Sequence, residues 1–166
     1  MKEFLKSQNT TFIASVDNNN MPHASYSPYV MIEDKMYIYI SKVAEHYQNL
    51  ENNKNISLMI AEDECKSKVL FARKRISFKG EATKVSDVDS KVKEKFEEIH
   101  TKNMMDVLYT MDFDFFEIKL LEGRLVEGFG KAYKLVYNNN DWESEHIVID
   151  KPHNASEGHS SHNPHK

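Results

Sequence analysis

Residues 69–85 read VLFARKRISFKGEATKV, and this stretch decides the fold. Within it Ile76, Phe78, Gly80 and Ala82 alternate with Arg75, Ser77, Lys79 and Glu81. A period of two residues belongs to a strand, because successive side chains point to opposite faces. The expected strand, Val69 to Val85, has one apolar face and one mostly basic face. One side therefore packs on a core, and the other meets solvent or a ligand.

Upstream, Asn55 to Ala61 (NISLMIA) is a second strand rich in branched residues. Val43 to Asn52 (VAEHYQNLEN) contains no Gly or Pro and spaces Val43, Tyr47 and Leu50 at helical intervals. That predicts a short helix with Ser41 as its N-cap. Before it, Met36 to Ser41 and His23 to Met31 flank the turn Glu33-Asp34-Lys35, and Thr10 to Asp17 precedes the turn-tolerant Asn18-Asn19-Asn20, so three antiparallel strands are expected. Met36, Ile38 and Ile40 alternate with Tyr37 and Tyr39. This strand is apolar on both faces, which is more surface than one small barrel buries and predicts a homodimer.

Downstream, Val88, Val92, Phe96 and Ile99 form one helical stripe within Val88 to Asn103, with Ser86 or Asp87 placed as the cap. This helix should pack on the outside of a sheet. Phe113 to Leu121 and Arg124 to Tyr137 read as two further strands joined across Glu122-Gly123. Six or seven strands with short turns point to an antiparallel barrel with flanking helices, since a flat sheet of that size leaves open edges. The last residues, DKPHNASEGHSSHNPHK, hold no aliphatic side chain larger than Ala155. We therefore expect one folded domain over residues 1–149 and a flexible His-rich tail over 150–166.

Composition narrows the functional classes. A chain of 166 residues with 40% hydrophobic residues fills one domain around one core. The net charge of -4 supplies no positive field for a phosphate backbone, so nucleic acid is not an expected partner. The single Cys65 excludes an internal disulfide and any four-cysteine zinc site, which suits a reducing cytoplasm. No signal-peptide core and no apolar stretch of about 18 residues is present, so neither secretion nor a membrane span is expected.

Two places carry chemistry. In the tail, His153, His159, His162 and His165 lie in a polar setting where packing does not explain them. They read either as a solvated or metal-scavenging tract, or as an arm from which one neutral imidazole ligates an iron. In RLVEGFGKAYKL, Gly128, Gly130 and Ala132 alternate with Glu127, Phe129, Lys131 and Tyr133. The bare face marks either a bulge or tight corner, or a close approach by something outside the strand. No helix follows, so this is no dinucleotide fingerprint. The basic face of Arg73, Arg75 and Lys79 is either solvated or a set of donors for carboxylates or phosphates. His46 reads as a structural residue or a cofactor contact.

The runs ISKVAEHYQNLENNKNISLMIAEDE, FARKRISFKGEATKV and MDFDFFEIKLLEGRLVEGFGKAYKL, followed by a His-bearing tail, resemble the haem-utilisation proteins of the HugZ type. These sit in the pyridoxamine-phosphate-oxidase-like split-barrel superfamily. The resemblance implies a split β-barrel homodimer that binds haem between subunits and, as a haem oxygenase, opens the macrocycle to a biliverdin-like product and releases iron, with an external electron donor. It implies an iron ligand in the tail, His162 or His159, and a haem-site arginine at Arg75 or Arg73. Lys79, Phe129, Gly130, Lys131, Tyr133, His46 and Asn49 are expected as the accompanying cofactor contacts. Superfamily relatives bind FMN instead, with phosphate contacts near Ser41, Lys42 and Asn49. An FMN-dependent oxidoreductase and a non-catalytic haem carrier are the alternatives.

Overall fold

In a computed structural model, which describes residues 1–139 and 141–148, the elements follow the order α1 (Lys2–Lys6), β1 (Thr10–Val16), β2 (Pro22–Ile32), β3 (Lys35–Ser41), α2 (Glu45–Asn52), β4 (Asn55–Ala61), β5 (Arg75–Val85), α3 (Ser90–His100), α4 (Lys102–Tyr109), β6 (Phe113–Gly128), β7 (Lys131–Asn138) and β8 (Asp141–His146). The strands run in the order β3-β2-β1-β4-β5-β6-β7-β8, and every pairing is antiparallel. β3 also pairs with β6, which closes six strands into a barrel. β7 and β8 continue outward from the second half of β6 as an open flap. The expected antiparallel barrel is present, as a split barrel.

Alternation builds the core. Ile13, Ile38, Leu58, Ile60, Ile76, Phe78, Phe116 and Ile118 all point inward and are buried in one cluster. Outside β2, β3 and β6, a second cluster packs Val30, Tyr37 and Phe115 beneath Val92, Phe96 and Met105. The Tyr37 and Tyr39 face of β3 is thus covered by this chain's own α3 and α4. It does not require the second copy that the sequence suggested.

Several boundaries differ from expectation. β5 begins at Arg75 because its partner β4 ends at Ala61; Leu70–Ala72 forms a 3-10 turn and Arg73 lies before the strand. The helix expected over residues 88–103 breaks at Thr101, whose φ of 67° separates α3 from α4. The caps are Asp89, accepting from the Lys91 amide, and Thr101, accepting from the Met104 amide. Ser41 belongs to β3, and α2 starts at Glu45 without a side-chain cap. The β6 strand runs straight through Glu122-Gly123. A Cβ at Gly123 would lie 2.7 Å from the Phe78 ring, so this glycine serves close packing and makes no turn. The reversal comes at Phe129-Gly130, where Gly128 (φ 155°) and Gly130 (φ 68°) adopt conformations that side chains disfavour. The GxG pattern is therefore the hairpin turn, and nothing lies within 4 Å of a Cβ built on Gly130. α1 and β8 were not expected: a five-residue helix has almost no periodicity, and DWESEH has one large apolar residue.

Candidate functional site

The register aligns one rung of outward-facing residues across seven strands. Tyr26 lies opposite Phe12, Phe12 opposite Met59, Met59 opposite Ser77, Ser77 opposite Arg124, Arg124 opposite Lys134, and Lys134 opposite Glu145. One end of the rung is apolar and open, with Tyr26 57%, Phe12 54% and Met59 40% exposed. The other end is cationic. A neighbouring rung sets Ser57 opposite Lys79 and Lys79 opposite Glu122, and Arg75 lies opposite Ala61 and Val126. An open trough of about 640 Å³ runs along the cationic end, lined by Ser57, Ser77, Lys79, Arg124, Lys134 and His146 among others. Ile147 and Val148, the last described residues, form part of its rim.

The expected site residues separate into groups. Phe129, Gly130 and Lys131 form the hairpin tip and its first strand residue, where Phe129 is 72% exposed. Tyr133 lies further along β7, half-buried, with its ring 5.2 Å from that of His146. His146 Nε2 lies 2.8 Å from the Gly130 carbonyl oxygen, so β8 is tied to the tip. Arg75 is half-buried at the start of β5, and its Nη1 donates to the Arg73 carbonyl oxygen at 2.9 Å. Arg73 faces the chain: its Nε donates to the Glu62 carbonyl oxygen at 2.8 Å and its Nη1 lies 3.7 Å from Glu64. It is not part of an outward strand face. Lys79 pairs with Glu122 at 2.6 Å, and this lysine holds the Glu122 carboxyl below its usual range.

His46 and Asn49 stand apart from Arg75. β4 carries α2 at its Asn55 end and Arg75 at its Ala61 end, about 20 Å apart at roughly 3.3 Å per residue. Asn49 is buried and donates to Ser15 Oγ at 3.1 Å, which fastens α2 to β1. His46 is half-buried, and burial first, then the nearby His23, lowers its pKa. Lys42 sits 3.7 Å from Asp112 and 3.8 Å from Asp114. His162 and His159 lie outside the described residues, as do His153 and His165. Among the described residues no cluster of three or more His, Cys, Asp or Glu can hold a metal ion, and no helix is long and apolar enough to cross a membrane. Sequence reasoning passed over Arg124, Lys134 and His146, which join the face only through strand pairing.

Residues 1–127 match the family model described as pyridoxamine 5'-phosphate oxidase. The chain belongs to this family. It is 36% identical over 143 residues to the haem oxygenase HutZ of Vibrio cholerae serotype O1, covering 81% of this chain and 78% of that one. Among solved structures it is similar to Campylobacter jejuni ChuZ, with a TM-score of 0.78 and 30% identity over 88% of this chain; it spans 60% of the ChuZ chain. It is also similar to the structure of Vibrio cholerae HutZ, there called a haem storage protein, with a TM-score of 0.66, 33% identity, and coverage of 72% of this chain and 86% of that one.

Proposed function

We propose that this protein is a haem-binding split barrel that acts as a homodimer and opens the macrocycle oxidatively with electrons from an external donor. The observation that carries the reading is the outward rung. A flat apolar ring bearing two carboxylates fits a surface that passes from Tyr26, Phe12 and Met59 to Arg124 and Lys134 within a few strand spacings of about 4.8 Å. Relatives named for haem oxygenation and haem storage support the same ligand. A second copy would cover the exposed apolar end, which a monomer leaves in water.

Bound haem supplies oxygen activation at its iron, and the chain's residues supply binding and orientation. Arg124 and Lys134 would hold its carboxylates. Arg75, anchored through one nitrogen, keeps further N–H donors that would orient haem on this face. The tail leaves the described chain at the trough rim, and His159 follows Val148 by eleven residues, a reach of roughly 36 Å when extended. Either His159 or His162 can therefore ligate iron on this face of its own or a partner's barrel.

The test is a hemin titration of the full chain and of a chain ending at Asp150, followed by ascorbate and oxygen. The expected result is a sharp Soret band and an open tetrapyrrole for the full chain, with weak binding and a shifted band after truncation. Full-strength binding without turnover would make the protein a carrier. An unchanged band after truncation would move the ligand to His146, which the trough already contains.

A further inference from the structure

The pyridoxamine 5'-phosphate oxidase fold implies a flavin phosphate, and the residues near its expected contacts do not fit one. A phosphate needs free N–H groups at a helix N-terminus and unspent cations beside them. Here the first turn of α2 carries Glu45, whose carboxylate lies 3.2 Å from His23 Nδ1. The neighbouring Lys42 lies within 4 Å of both Asp112 and Asp114. Asp114 also accepts from the Tyr47 hydroxyl, and Lys84 is taken by Glu51. Ser41 Oγ accepts from the Val43 amide, and Asn49 is spent on Ser15. Around this helix end Lys42 and Lys84 both lie within 4 Å of Asp114, with Asp112 on Lys42 and Glu51, from the far end of α2, on Lys84; burial lowers the pKa of His46.

We infer that Glu45, held in place by His23, is a cofactor-selecting residue that closes the α2 N-terminus to phosphate and so bars flavin mononucleotide from this barrel. A dianionic phosphate there would meet the like charge of Glu45, and among the described residues Lys42 and Lys84 already lie beside carboxylates. The helix dipole favours an anion at this end, and Glu45 already places one negative charge in the first turn although no side chain caps the helix. On the proposed haem reading, the carboxylates of haem would lie at the Arg124 and Lys134 end, away from this cluster. The inference concerns flavin rejection and stands apart from haem turnover.

The experiment titrates FMN, with riboflavin in parallel, into full-length wild type, Glu45→Arg and Glu45→Gln, reading quenching of flavin fluorescence. Circular dichroism and a hemin titration on the same samples report folding and the haem reading separately. Wild type should show no saturable quenching up to about 1 mM FMN. Glu45→Arg should bind FMN at least about tenfold more tightly than it binds riboflavin, because the gained contact is with phosphate. Glu45→Gln, which removes the charge alone, should fall between them. Saturable, phosphate-dependent binding by wild type overturns the inference. So does a folded Glu45→Arg that remains as blind to FMN as wild type, since Glu45 would then not be the excluding group. A protein that binds neither FMN nor hemin loses the haem reading and keeps this one.

Discussion

The barrel has two outward apolar faces, and they have opposite fates. On β3 and β6, Tyr39 and Phe115 stack with centroids 4.2 Å apart beneath α3 and α4, and Phe96 packs edge-on against both. On β1, β2 and β4, Phe12, Tyr26 and Met59 are 40 to 57% exposed, and no helix of the described chain covers them. Both faces arise from the same two-residue alternation. The covered one has become core, whereas the open one runs on into Arg124 and Lys134. Alternation tells that a face is apolar; only the third dimension tells what covers it.

Removing a ring from each face should break the comparison or sharpen it. Phe96 is 2% exposed, so Phe96→Ala should cost about 3–5 kcal/mol and lower the melting temperature by many degrees. Phe12→Ser on the open face should change monomer stability by only about 0.5 kcal/mol. It should instead weaken self-association and hemin binding, read by light scattering and by the Soret titration. Equal melting losses for the two variants would show that the faces do not differ in kind.

A smaller effect is expected where the barrel meets the flap. Gly123 has the Phe78 ring at 2.7 Å and the Ser77 carbonyl oxygen at 2.9 Å from where a Cβ would stand. Gly123→Ala should therefore cost about 1–3 kcal/mol through overpacking, and the displaced strand should loosen the trough. Stability equal to wild type in a denaturant melt would mean that β6 shifts freely at this point.

Much of this was legible in the sequence and some was not, for identifiable reasons. The alternation in β1, β3, β4 and β5 is strong, so the barrel and its core followed from the residues. The Glu122-Gly123 turn was misplaced because a glycine in a strand marks either a reversal or a close approach, and only Phe78 on the neighbouring strand distinguishes them. The rung from Tyr26 to Lys134 was invisible, since its members are scattered over more than a hundred residues and meet only through register. Arg73 and Arg75 look equivalent as RKR. A 3-10 turn puts one on Glu62 and leaves the other beside the trough strands.

That divergence gives a paired test. Arg73→Ala removes a hydrogen bond to a backbone carbonyl and should cost about 1 kcal/mol of stability with little change in hemin affinity. Arg75→Ala should do the reverse, melting near wild type while binding a ligand on the iron more weakly or turning haem over more slowly. If Arg73→Ala damages turnover and Arg75→Ala damages only the fold, the assignment of the two arginines is inverted.

The smallest effect is a pH dependence centred on the helix end away from the cationic face. Burial holds the folded pKa of His46 below its usual 6.5, with His23 adding to the shift, and burial lowers His100 in the same direction. A depressed folded value means that the unfolded chain binds more protons, so stability rises with pH across this window. The contribution is fully present above about pH 6.5 and is lost as pH falls through the lowered folded values. Carboxylates such as Glu51 and Glu122, whose folded values lie below the usual 4.5, contribute mainly below about pH 5.5, so the upper part of the window reports the histidines. Between pH 7 and pH 5 the wild-type melting temperature should decline, and His46→Gln should flatten part of that slope while His100→Gln flattens another part. The rung of the bare face contains no histidine, so Phe12→Ser should leave the slope as it is. A slope that vanishes in Phe12→Ser would place the titrating groups at the open face and not beneath α2 and α3.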